Sequence, residues 1–323
     1  RAAEAMTSVN VYDDPSTADL RKAREDSFAQ PTESAKKKTL AAIIKTCQAR
    51  LEKEPNNVAL LVWYSASLEQ MAGYVTSPGQ SAKLCEQAID LAEQAIKLDP
   101  KCEMGYTQKA AAMVRLVNWK RKYKNITKLY ISYEQALSLM RTAIELDPSR
   151  PRLAAIFSTV VYSVVINDVL NSVTTDNKLA LLQDAIDKLN AVPTNYKYYC
   201  DVKRRAIPLM LRQADLLGSE KKTDQQLKKI DEAIALGEEM RKETGSCGKF
   251  DRGMTLKQLA TCYLSKGKFY GAEKKTALEK TNFETVVSLS KEAIKFDARD
   301  AAAKQVLSFA QERLAELSGT GNE

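Results

Sequence analysis

The sequence predicts an all-α chain of stacked helical hairpins, an α-solenoid, and three observations predict it. The first is an internal repeat: Ala88-x3-Ala92-x2-Ala95-x4-Pro100 returns as Ala136-x3-Met140-x2-Ala143-x4-Pro148. Even the filler agrees, Ala95-Ile-Lys-Leu-Asp-Pro against Ala143-Ile-Glu-Leu-Asp-Pro. Small residues three and four apart share one helical stripe, and a proline stops the helix that carries them. The second is the spacing of such prolines, 45 residues from Pro55 to Pro100, 48 to Pro148 and 45 to Pro193. The third is composition: 44% hydrophobic, 28% charged, 7% aromatic and 12 glycines, which suits helices and not a large antiparallel sheet.

The stripe resembles the second helix of a tetratricopeptide (TPR) repeat, whose pattern is A-x3-F-x2-A-x4-P. Leu61, Tyr64, Ser65 and Leu68 then fall where a TPR first helix places large, large, small and large residues. Tyr106, Lys109, Ala110 and Met113 repeat this after Pro100, and Ala154, Phe157, Ser158 and Val161 after Pro148. The small residue (Ser65, Ala110, Ser158) belongs where the two helices of a hairpin come closest. A standard repeat is about 34 residues, so these are enlarged, and the chain has room for about five to six irregular hairpins. The surplus maps to Ala72–Ser81, Val117–Ile131 and Asn171–Leu179, as longer helices or longer loops.

In order along the chain, residues 1–38 read as an N-terminal extension broken by Tyr12-Asp-Asp-Pro-Ser-Thr and Gln30-Pro-Thr-Glu-Ser. A short helix is expected over Thr17–Ala29 with Ser16 or Thr17 as its cap, either loosely packed or docked along the repeats. The repeat domain spans 39–317, with regular repeats over 39–193. Leu40, Ile43, Ile44, Cys47 and Leu51 form the face of a degenerate first repeat. Pro151 sits at a first helical position, where its missing N–H costs nothing. Repeats over 194–300 are degenerate: Pro208 predicts a kink, Gly218–Asp224 a polar turn, Gly245-Ser-Cys-Gly a break and Gly267–Asn282 an insertion. Ala301–Leu317 reads as a capping amphipathic helix and 318–323 as a tail.

Little in the chain suggests catalysis. There is no histidine, which removes the commonest general base and metal ligand. No nucleophile motif, phosphate loop or carboxylate cluster is present, so no enzyme activity, metal or cofactor is expected. Asp13-Asp14 and Glu238-Glu239 read as surface charge. The six cysteines (47, 85, 102, 200, 247, 262) have no ligand spacing and read as scattered core thiols before a disulfide framework, with three bridges left open. That leans toward a cytoplasmic setting, with a periplasmic lipoprotein as the alternative. No apolar run reaches the roughly 18 residues of a membrane span. The chain begins at Arg1 and not at methionine, which leaves room for an upstream signal, anchor or domain.

A TPR module binds along the inner positions of its first helices. Here those include Val62, Ala66, Glu69 and Gln70; Met104, Thr107, Ala111, Val114 and Arg115; and Arg152, Ala155, Thr159, Tyr162 and Ser163. Most are small or apolar, which disfavours a clamp for acidic C-terminal peptides and calls for a cover: a filler helix, a partner helix or an apolar ligand. A second stretch interleaves Lys120, Arg121, Lys122, Lys124 and Lys128 with Trp119, Tyr123 and Tyr130. Its chemistry suits an anionic surface or phosphates. The net charge of +8 favours acidic partners in general.

The spacing from Trp63-Tyr64 through both Leu-Asp-Pro endings, with Ile126 and Tyr133 between, is similar to the regulator of microtubule dynamics family. It also looks like the T-component lipoproteins of bacterial TRAP-type transporters. Over about residues 40–165 that resemblance implies a non-enzymatic scaffold whose helices wrap an apolar channel for lipid-like ligands, and which oligomerises. The expected function is protein–protein interaction through the concave helical surface, with a carrier of lipid or another apolar ligand as the alternative. A protein partner is expected first, then an apolar ligand, peripheral membrane contact and self-association; nucleic acid is not.

Overall fold

The computed structural model describes residues 10–30, 32–122, 129–166, 173–243 and 247–319. Among these residues every regular element is a helix. The chain divides into two compact units, Arg1–Leu170 and Asn171–Glu323.

The first unit holds α1 (Ala18–Ala29), α2 (Glu33–Leu51), α3 (Val58–Ala72), α4 (Pro78–Leu98), α5 (Glu103–Lys122), α6 (Leu129–Leu146) and α7 (Pro151–Ile166). Each helix packs on the next, and the first helices α3, α5 and α7 also touch in a row. The joints are short and capped: Thr32 Oγ1 accepts from Ala35 N at 3.1 Å, and Asn57 Oδ1 from Leu60 N at 3.1 Å. The Thr32 cap starts α2 at Glu33, ahead of the apolar face that opens at Leu40.

The small residues sit where the helices of a hairpin meet. Ser65 Oγ donates to Ala88 O at 2.7 Å across the α3–α4 seam, and Ser81 Oγ to Ala72 O at 2.9 Å. Ala110 and Ser158 are buried as well. The core runs from Val11 and Leu20 through Leu40, Ile43 and Trp63 to Met104. In the first enlarged repeat the surplus is helix, since α4 takes 21 residues and leaves only 73–77 as a loop. In the second, α5 runs on to Lys122; residues 123–128 lie outside those described.

The second unit holds α8 (Thr175–Asn190), α9 (Tyr199–Arg204), α10 (Ala206–Ser219), α11 (Thr223–Lys242), α12 (Lys249–Ala272), α13 (Thr276–Phe296) and α14 (Ala301–Gly319). The kink expected at Pro208 is a break at Arg205, three residues earlier. The proline then sits in the first turn of α10, where no intrahelical donor is needed. The insertion expected over Gly267–Asn282 is helix except for residues 273–275. Its glycines mark close packing and not a loop, for a side chain at Gly267 would come within 3.2 Å of the Phe283 ring.

Two turns in this unit share a sequence: Gly218-Ser-Glu-Lys-Lys-Thr and Gly271-Ala-Glu-Lys-Lys-Thr. Each places its first lysine in the left-handed region, Lys221 at φ 59° and Lys274 at φ 56°. Each closes with the same long bond, Lys222 N to Leu217 O at 3.0 Å and Lys275 N to Tyr270 O at 2.9 Å.

The cysteine expectation needs correction. Cys200, in α9, and Cys247, just ahead of α12, form a disulfide with Cα atoms 5.5 Å apart. Their separation of 47 residues carries no recognisable spacing, and it is the packing of α9 on α11 and α12 that joins them. Cys47, Cys85, Cys102 and Cys262 are buried free thiols, pushed up to about 12 by burial and so inert at neutral pH.

Candidate functional site

The site is the face of the first unit lined by α3, α5 and α7, and residues 10–30 of the chain lie against it. Turn-forming residues keep this arm compact. Asp14 Oδ1 accepts from Ser16 N at 2.8 Å, and α1 follows with Thr17 at its start, although no Thr17 side-chain cap forms. The Thr17 hydroxyl instead accepts from Trp63 Nε1 at 3.1 Å. Farther along, Arg24 Nε donates to Gln70 Oε1 at 3.2 Å, and Gln70 Nε2 to Ser27 Oγ at 3.4 Å. Of the two modes expected for this segment, it adopts the docked one.

Tyr12 is the anchor at the other end. Its ring centroid lies 5.9 Å from that of Trp63 and 5.8, 5.6 and 5.9 Å from the guanidinium carbons of Arg21, Arg150 and Arg152. Arg152 Nη1 donates to the Tyr12 hydroxyl at 3.3 Å and Arg21 Nη1 to the Tyr12 carbonyl at 2.6 Å. Arg150 Nη2 reaches Asn10 Oδ1 at 3.1 Å. An aromatic ring among three cations uses its negative face on each, and partial burial strengthens the attraction.

Charge on this face is dense. Arg115 Nε pairs with Glu69 Oε1 at 2.6 Å, tying α5 to α3. Arg150 lies 2.9 Å from Glu103 Oε1 and 2.8 Å from Asp147 Oδ2. The Glu103 contact is close but off the direction of a hydrogen bond, and burial holds this carboxyl up to about 7 despite the cation. Arg24 is 5% exposed, and its Nη1 has no hydrogen-bond partner. Burial, and then Arg152 nearby, lower its guanidinium to about 10, so it stays charged at neutral pH.

The inner positions divide into two groups. Val62, Ala66, Met104, Thr107, Val114 and Ala155 are buried. Ala111, Arg115 and Tyr162 are half-buried, and Thr159 is exposed. Thr107 Oγ1 and Thr159 Oγ1 each donate to a carbonyl of their own helix, Glu103 O and Ala155 O. The polar inner positions Gln70 and Arg152 hold the arm. Sequence reasoning had no signal for Tyr12, Trp63, Arg24 and Arg150, because the hydrogen bonds that join arm to face span 46 to 140 residues. In the basic stretch, Trp119, Lys120, Arg121 and Lys122 belong to the last turns of α5, but their side chains lie outside those described. Lys124 and Lys128 lie wholly outside the described residues.

Among the described residues no group of three or more acidic or cysteine side chains is placed to hold a metal ion. No helix there is long and apolar enough to cross a membrane.

No protein-family profile matches the sequence, and no curated protein matches it. Solved structures do. The nuclear import adaptor Nro1, a hypoxic regulator of sterol synthesis, matches at 12% identity over 91% of this chain and 92% of its own, TM-score 0.56. A second structure of the S. pombe adaptor matches at 12% over 90% and 96%, TM-score 0.53. YrrB, a TPR protein with an unusual peptide-binding site, matches less closely, at 14% over 80% and 96%, TM-score 0.39. At such identities the likeness is one of fold, and the chain is an all-α, TPR-like helical repeat protein.

Proposed function

We propose that the chain is a non-enzymatic interaction scaffold that holds a segment of a partner protein on the α3–α5–α7 face. One observation carries this reading: the face already grips a compact peptide segment, the chain's own residues 10–17 folded as a turn and a 3-10 turn, through side-chain hydrogen bonds and cation–aromatic contacts. Polar groups aimed at a peptide from several helices are what a TPR-like hairpin stack offers a partner. The role of Nro1 as a nuclear import adaptor is compatible with it.

The apolar inner positions are poor probes, because Val62 and Ala66 are wholly buried and Val62→Asp would unfold the unit. A photo-crosslinking residue at exposed Thr159 or half-buried Tyr162 is the better test, with one at exposed Gln94 on α4 as control. We expect a discrete protein adduct from the first two that Arg152→Glu removes while the helical spectrum is unchanged. Equal labelling from Gln94 would end the reading. The lipid-carrier alternative predicts a stoichiometric apolar molecule in an organic extract of protein purified without detergent.

A further inference from the structure

Resting on that reading, we infer the chemistry of the partner segment: a short linear peptide with an aromatic residue followed by carboxylates, for which Tyr12-Asp13 of this chain is a built-in stand-in.

Two observations converge on this. The ring slot is specific. Trp63 supplies one wall, Arg150 and Arg152 supply cations from α7 and the turn before it, and the Tyr12 hydroxyl meets Arg152. A phenol or indole fills such a slot, whereas an aliphatic side chain gains nothing from the guanidinium groups. The second observation is charge. The arm brings two adjacent carboxylates to this end of the face and spends both on itself: Asp13 lies a loose 3.7 Å from Arg21, and Asp14 accepts from Ser16 N. The arm thus keeps its carboxylates from Arg152, and a segment that offers one there would outcompete it.

Tethering hides such binding in the intact chain, because a segment joined to its own site competes at millimolar effective concentration. The test therefore weakens the arm without removing it. A labelled peptide with the sequence of residues 10–17 is titrated onto the full chain and onto the Val11→Ser/Tyr12→Ala variant. We expect the variant to bind the peptide about tenfold more tightly, or better, than the unaltered chain. That binding should fall about tenfold when Arg152→Ala is added, or when the peptide's tyrosine becomes alanine or its aspartates asparagine. No binding at millimolar peptide by a variant with an unchanged helical spectrum overturns the proposal, and so does equal affinity for both chains. Should the variant fail to fold, hydrogen exchange on the unaltered chain decides. Peptide in trans must then speed exchange at the amides of residues 10–17, and unchanged exchange is a refutation. A failed peptide test beside a successful Thr159 adduct would discard this partner chemistry while leaving the scaffold reading intact.

Discussion

At the scale of single residues, Glu103 sets a pH dependence whose sign is fixed by its burial. Its folded value of about 7 stands above the ordinary 4.5, so the folded chain binds an extra proton between those limits. Stability is then highest at the acid end of that window and declines as the pH rises through it, by about 1–3 kcal/mol. Glu103→Gln should flatten the decline, leaving a melting temperature at pH 8 no lower than that of the parent; a parallel decline in both proteins would refute it. Ser65 makes a second case. Its hydroxyl serves the Ala88 carbonyl in a seam with no spare room, so Ser65→Ala should cost about 1 kcal/mol and Ser65→Leu about 3 or more, read from denaturant midpoints. The small–large grammar made Ser65 legible in the sequence. Tyr12 was not, because it carries no periodicity and its meaning comes from Arg150 and Arg152, which meet it only in the folded chain.

At the scale of elements, the repeated helices were readable because proline stops, caps and 3.6-residue stripes act within one helix. The joints between degenerate repeats were harder. A run rich in Gly, Lys and Thr over 267–282 reads as a loop on composition, yet Gly267 and Gly271 make room for Phe283 and Glu279 and the chain stays helical. Likewise Pro208 signals a boundary without saying whether the helix bends or ends. The paired turns offer a direct test. Lysine in the left-handed region carries a steric cost that glycine escapes, partly offset by the extra freedom of glycine when unfolded. Lys221→Gly and Lys274→Gly should therefore each stabilise by about 0.5–1 kcal/mol and raise the melting temperature additively, as distant sites do. Destabilisation by either would mean that the lysine side chains contribute contacts beyond the turn.

At the scale of the whole molecule, two compact units with separate cores predict departure from a single two-state transition. The disulfide closes a 47-residue span inside the second unit, and chain entropy assigns such a loop about 4 kcal/mol. Reductant, or Cys200→Ser, should lower the second unit's transition by that order and leave the first in place. Differential scanning calorimetry with and without reductant reads this, and equal shifts in both transitions would refute it. The four remaining thiols should resist alkylation until the chain unfolds.

The arm also has a consequence in time. Residues 10 and 12 leave the ribosome early, but Arg150 and Arg152 follow 140 residues later. At synthesis rates of 5–20 residues per second, that end of the arm waits about 7 to 28 s for its two arginines. During that interval the nascent chain displays the peptide before it owns the slot. A neighbouring finished copy on the same message already has a slot, so crowded translation favours exchange of arms between copies, and slow, dilute synthesis favours each chain closing on itself.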